Sequence, residues 1–271
     1  MRRSFGGAAA AATILALTAC AASGPAADPA DLAVLPHDAV FDYQLGGGYP
    51  PADDVTVVVR DRRDAPETDL YSICYVNAFQ TQPDELDDWP PDAVLVDDSG
   101  LPVRDSDWPD EALLDISSPA GQKIVVATVG DWIRQCAADG FDAVEFDNLD
   151  SFTRSDGRIS VDDGIDVAAS LVAIAHADGL SAGQKNAAEF AAVLREEAHF
   201  DFAVSEECAA YDECSAYVET YGTGVLNIEY TDNLPRPFAE VCADADSPPA
   251  TILRDRDLAT PDDPAHRREA C

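Results

Sequence analysis

The chain has 271 residues, with 52 acidic against 17 basic side chains and a formal net charge of −35. So acidic a surface repels phosphate backbones and anionic lipid headgroups, which argues against nucleic acid as a partner. It would draw in a polycation, although an ordinary soluble surface carries the same charge equally well.

Residues 1–19 read as an export signal that lies outside the fold. Arg2 and Arg3 form a charged start, and Ala8 to Leu17 form an apolar run too short to span a bilayer. The run closes on Leu17-Thr18-Ala19-Cys20, which resembles the lipobox of bacterial lipoproteins, where the chain is cut before a cysteine that then carries lipid. The expected mature protein sits in the cell envelope and touches the membrane only through lipid on Cys20. Losing Arg2 and Arg3 would take the charge from −35 to −37. Residues 20–36, rich in Ala, Gly, Pro and Asp, read as a tether.

Residues 37–271 read as one domain, a length that suits an α/β barrel, for which roughly 250 residues is typical. Short apolar strands are expected at 41–45, 55–59, 71–77, 142–147, 181–185, 202–206, 224–229 and 250–254, with helices at 119–138, 163–178, 187–197, 211–221 and 237–244. Ile124, Val125, Thr128, Val129, Trp132 and Ile133 recur at helical spacing, and Gly140 follows as a stop. Asp162 and Asp163 are N-cap candidates for the next helix. This order predicts a (β/α)8 TIM barrel. Residues 78–118 do not fit one strand–helix unit and read as an elaborated loop with a short strand at 112–116.

Once Cys20 is set aside, Cys74, Cys136, Cys208, Cys214, Cys242 and Cys271 remain, an even count that predicts three disulfides in an exported chain. Cys208 and Cys214 are close enough for a local loop, and Cys271 could join Cys242, leaving Cys74 and Cys136. The count alone permits other pairings. No repeated CxxC points to zinc, and neither metal nor cofactor is expected.

The chemistry is expected where strands end, because a barrel builds its site at the carboxyl ends of its strands. Ala143-Val144-Glu145-Phe146-Asp147-Asn148-Leu149-Asp150 starts as a buried strand and closes on crowded acids, which are costly to desolvate without a reason. Asp147 and Glu206 then lie one strand apart across the mouth, as glycosidic cleavage by two carboxyls requires. Tyr43, Asp61, Tyr75, Glu145, Asn148, Asp150, Asn186, Glu229 and Tyr230 close other strands and are candidate sugar contacts, the tyrosines as stacking surfaces. Lys185 is one of only two lysines. It suits an ion pair to Asp147 or Glu206, or substrate contact, better than Schiff-base chemistry. The four histidines fall into no catalytic spacing, and there is neither a Gly-rich phosphate loop nor GxSxG.

Several runs taken together resemble glycoside hydrolase family 114, the endo-α-1,4-polygalactosaminidase-like proteins. They are YQLGG, ICYVN, W-x-x-E at Trp108–Glu111, GFDAVEFDNLD at 140–150, QKN at 184–186, FDFAVSEEC at 200–208 and NIEY at 227–230. The resemblance implies a barrel that cuts a partly deacetylated, and hence cationic, galactosamine polymer internally, with its catalytic acids at Asp147 and Glu206. A monomer is expected. A catalytically silent sugar-binding lipoprotein on the same barrel is the alternative. If the lipobox reading holds, Cys20→Ala moves the protein from the membrane fraction to the soluble one; a variant that still sediments with membranes would locate the anchor elsewhere.

Overall fold

The computed structural model describes residues 32–271. Cys20 and the signal segment lie outside the described residues. Eight parallel strands follow one another around a nearly closed, barrel-like sheet: β1 (Phe41–Gln44), β2 (Val57–Asp61), β3 (Tyr71–Asn77), β4 (Ala143–Asp147), β5 (Ser181–Lys185), β6 (Phe202–Glu206), β7 (Val225–Tyr230) and β8 (Ala250–Arg254). A ninth, β9 (Arg268–Ala270), lies antiparallel on β8. The architecture is that of a TIM-like barrel.

Successive side chains on a strand point to opposite faces, and two separate cores follow from that. Phe41, Tyr43, Val57, Val59, Ile73, Tyr75, Ala143, Phe202, Val204, Leu226, Ile228 and Tyr230 fill the barrel interior. The alternate residues face outward. Cys74, Val144, Ala182 and Ala203 join the apolar faces of the surrounding helices in the larger core. Gly183 in β5 is a consequence of this packing: a Cβ there would sit 2.4 Å from the Phe202 ring.

The helices are α1 (Pro119–Asp139), α2 (Val161–Ala177), α3 (Ala191–Val193, running into a π turn at Leu194–Ala198), α4 (Cys208–Tyr211), α5 (Cys214–Tyr221) and α6 (Phe238–Cys242). Ser118 caps α1 by accepting from the Gly121 N–H, and left-handed Gly140 ends it. The cap of α2 is Ser160, with Asp163 bonding back to the Ser160 N–H, which corrects the expectation that Asp162 or Asp163 would cap.

Helices follow only β3 to β7, so the regular (β/α)8 alternation is incomplete. Around β1 and β2 a polar network takes the place of an apolar helix. Arg60, only 7% exposed, donates to Gln44 Oε1, Tyr49 O and Ala65 O and pairs with Glu67 at 2.9 Å. Strands β1 and β8 share no ladder. Arginines bridge them instead: Arg254 donates to Tyr43 O and pairs with Asp42, and Arg268 on β9 donates to Phe41 O at 3.0 Å. Sequence reading missed β9, whose residues are polar and short in number.

Three disulfides join Cys74 to Cys136, Cys208 to Cys214 and Cys242 to Cys271. They tie β3 to α1, staple the turn after β6, and hold the segment after β9 to α6. The loop at 78–118 contains isolated bridges and two short 3₁₀ turns in place of the expected strand. Trp89 packs edge-on against Trp132 of α1 and anchors it. No helix among the described residues is long and apolar enough to cross a membrane.

Replacing Arg254 by Met strips the seam of its guanidinium and leaves Asp42, 1% exposed, with Arg268 at 3.6 Å as its remaining cation. Breaking a buried pair on one side costs about 3–5 kcal/mol, so the urea midpoint should fall well below that of the native chain. An unchanged midpoint would mean that the seam does not hold the barrel.

Candidate active site

Strands β4, β5 and β6 end on Asp147, Lys185 and Glu206, and each is followed by a left-handed residue, Asn148, Asn186 and Glu207 respectively. Asn tolerates this conformation better than most residues, and here it turns the chain outward directly after the side chain that faces the mouth. The three strand ends, with Glu145 one layer below, converge on a single ammonium. Lys185 Nζ lies 3.3 Å from Asp147 Oδ1, 3.3 Å from Glu206 Oε2 and 3.8 Å from Glu145 Oε1. The oxygens of Asp147 and Glu206 that face it are therefore no further apart than twice 3.3 Å.

Each of these carboxylates also receives a tyrosine hydroxyl. Tyr43 donates to Glu145 Oε1 and Tyr75 to Asp147 Oδ2, both at 2.5 Å, and Tyr230 donates to Glu206 Oε1. The tyrosines are 0, 8 and 3% exposed, so they orient carboxylates and offer no open face to a sugar, which corrects their reading as stacking surfaces. Asn186 holds Glu206 from a further side, donating to Oε2 at 3.1 Å and accepting from the Glu206 N–H.

Burial and charge set the protonation of the cluster. Burial would lower the Lys185 pKa, but Asp147, Glu206 and Glu145 outweigh it and raise it well above the ordinary value. A lysine held so firmly protonated is no amine nucleophile, which removes the Schiff-base reading. Burial would likewise raise Asp147, yet the Lys185 charge, the Tyr75 hydroxyl and the Asn148 N–H hold it below the usual carboxylate range. Glu145 goes the other way. Burial pushes it up to about 7 despite Lys185 and Tyr43, and its Oε2 has no hydrogen-bond partner.

The remaining expected contacts separate. Asn148 donates to Asn77 Oδ1 at 3.1 Å and to Glu111 Oε2 at 3.3 Å, beside the cluster. Asp150 pairs with Arg154 at 2.8 Å, and burial raises its pKa. Asp61 is occupied by Arg63 just after β2 and by Gln82 from the loop after β3, and pairs with no residue of the cluster. Glu229 corrects the expectation that it faces the mouth. It lies on the opposite face of β7 from Tyr230 and accepts from Asn227 Nδ2 and the Ala209 N–H, both at 2.9 Å. A strand's alternation allows only one of two adjacent residues to point inward.

Three residues join the site that the sequence reading had not assigned to it. Glu111, 9% exposed, accepts from Asn77 Nδ2 at 3.1 Å, and burial pushes it up to about 7; its signal was the W-x-x-E run. Arg154 binds Asp105, Asp150 and Asn148 together. Arg256 forks onto Glu207 at 2.8 and 2.9 Å and lies over the Tyr230 ring, 4.2 Å from its centroid. Cys208, Cys214 and Glu229 group closely enough to suggest a metal, but the two sulfurs are joined in a disulfide and offer no thiolate.

Carboxyls from neighbouring strand ends facing one mouth of a TIM-like barrel are the arrangement that glycosidic cleavage uses. The sequence model of glycoside-hydrolase family GH114 matches residues 21–271, and the chain belongs to that family. Among solved structures it is similar to Aspergillus fumigatus Ega3 in complex with galactosamine, with 23% identity and a TM-score of 0.67 over 88% of this chain and 98% of that one. It is similar also to the glycoside hydrolase domain of PelA from Pseudomonas aeruginosa, with 15% identity and a TM-score of 0.57 over 82% of this chain and 96% of that one. No curated protein sequence matches the chain.

Glu145 and Glu111 have folded pKa values of about 7 against an ordinary 4.5, so the folded state holds their protons more tightly than the unfolded state. Their contribution to stability is therefore fully present below about pH 4.5 and is lost as the pH rises through 7. For Glu145 the shift corresponds to on the order of 3 kcal/mol. Thermal melts from pH 5 to 8 should show a falling Tm, and Glu145→Gln should flatten the fall. Equal slopes in the two proteins would contradict the assignment.

Proposed function

We propose that the protein is an extracytoplasmic, lipid-anchored enzyme that cuts an α-1,4-linked galactosamine/N-acetylgalactosamine polysaccharide internally, with Asp147 and Glu206 as its catalytic carboxyls. One observation carries the catalytic reading: Asp147 and Glu206 face the same Lys185 ammonium at 3.3 Å, each oriented by its own tyrosine. The amino-sugar reading draws support from the galactosamine in the Ega3 complex and from the surplus of acidic over basic side chains, which would concentrate a cationic polymer.

The two carboxyls take different roles because their surroundings differ. Asp147 is held ionised and suits attack on the anomeric carbon. Glu206, its side chain 26% exposed against 17% for Asp147, is the better placed to exchange a proton with solvent. As the Asp147 carboxylate bonds to the anomeric carbon, Glu206 gives its proton to the departing glycosidic oxygen, and that bond breaks. Glu206 then takes a proton from water, whose oxygen displaces Asp147 and completes hydrolysis. An upper bound of twice 3.3 Å between the facing oxygens is compatible with the roughly 5 Å of retaining enzymes. Lys185, Tyr75 and Tyr230 hold the pair without reacting.

Asp147→Asn and Glu206→Gln keep shape while removing ionisation, and each should lower turnover on deacetylated galactosamine polymer at least about a hundredfold. Near-native turnover by either would show the pair to be wrong. Proton NMR of the first product should find the α anomer; the β anomer would establish inversion. Lys185→Met removes the charge that depresses Asp147, so the acid limb of the pH profile should move to higher pH.

A further inference from the structure

The barrel mouth holds more negative than positive charge. Lys185 is shared by Glu145, Asp147 and Glu206. The next cation, Arg154, is taken by Asp105 at 2.7 Å, by Asp150 at 2.8 Å and by the side-chain oxygen of Asn148. Glu111 has no ion-pair partner of its own among the described residues. It is nine-tenths buried, and its orientation is fixed because Asn77 Nδ2 and Asn148 Nδ2 both donate to Oε2. Its Oε1 makes no hydrogen bond to the described residues. Asn77 cannot turn to serve it without loss, since its Oδ1 already accepts from the Gln80 N–H and from Asn148.

A buried carboxyl that is aimed by amides and has no ion pair is costly to ionise. Glu111 shows that cost in a pKa pushed up to about 7 by burial, with Asp147 and Asp105 adding to it and Asn77 and the already engaged Arg154 offsetting only part. An ammonium arriving from outside would remove the cost, because it supplies both the missing charge and an N–H donor for Oε1. The position matters as much as the charge. Asn148, which holds Glu111, directly follows Asp147, and in a 2-amino sugar the nitrogen is borne on the carbon next to the anomeric one.

We propose that Glu111 recognises the 2-ammonium group of the deacetylated sugar seated against Asp147, and so sets a preference for deacetylated over N-acetylated residues at the point of cleavage. This inference rests on the amino-sugar reading above and names the residue that would enforce it. A neutral acetamido group at the same place would leave Glu111 without its cation. The discrimination thus comes from an unpaired charge as well as from an attractive contact.

The experiment compares native protein with Glu111→Gln on two polymers of α-1,4-galactosamine, one fully deacetylated and one fully N-acetylated. The expected result is a KM on the deacetylated polymer at least about tenfold higher in the variant, equivalent to about 1.4 kcal/mol, with kcat changed much less and KM on the acetylated polymer unchanged. Equal losses on both polymers would make Glu111 a structural support, and no change on either would make it irrelevant; both overturn the proposal. If the native protein cuts neither polymer, the amino-sugar reading falls first and takes this inference with it. Should the Gln variant not fold, Glu111→Asp and Glu111→Asn form an equal-sized pair that differs in charge. The Asp variant should keep the preference for the deacetylated polymer and the Asn variant should lose it; the same preference in both would overturn the proposal.

Discussion

One ammonium sets the terms for the whole mouth of this barrel. Three carboxylates brought within 3.8 Å of a single point would repel one another strongly if nothing lay between them. Lys185 is that intervening charge, and its position on β5, between β4 and β6, lets it reach both neighbours. Its burial is tolerable only because the carboxylates are there, and their crowding is tolerable only because it is there. The tyrosines complete the arrangement by giving each carboxylate a neutral donor that fixes its direction. Asp147 stays ionised while Glu145, a layer deeper, is pushed up to about 7, so one cluster holds carboxyls of two kinds.

The strands were legible because a buried parallel sheet leaves short apolar runs with clear stops. The strand-end acids were legible because such residues are out of place beside such runs. Lys185 stood out in a chain with few lysines. What the sequence hid has physical causes. Glu111 lies in a loop with no periodicity, so only tertiary packing brings it to Asn148. Glu229 and Tyr230 both end a strand, and parity, which the sequence leaves ambiguous by one residue, decides which faces inward. Ser160 outcompeted the acids as a cap because Asp163 is worth more at the third position, bonding back to the Ser160 N–H. The missing helices after β1 and β2 could be read only in hindsight, from the polar Asp42, Gln44 and Arg60 facing away from the interior.

The rim beyond the cluster is built from loops of unequal stiffness. After β6 the chain is tightly held, with the Cys208–Cys214 bridge, the Glu207–Arg256 fork and the Arg256 guanidinium over Tyr230 all bearing on the residue that positions Glu206. The long loop after β3 is pinned instead through Trp89 and Arg154, and it carries Trp108 at 55% exposure three residues before Glu111.

The arginine-bridged seam also bears on how the molecule is assembled. Every strand from β2 to β8 gains a neighbour as soon as the next one is made, but the free edge of β1 must wait for side chains on β8 and β9. Throughout synthesis the growing sheet therefore has an unsealed margin of backbone carbonyls, the kind of margin on which chains adhere to one another. The sealing groups are charged guanidinium side chains that find their acceptors singly, so the seam closes like a row of clasps. The Cys242–Cys271 bridge adds a covalent clasp, tying the residue that follows β9 to α6.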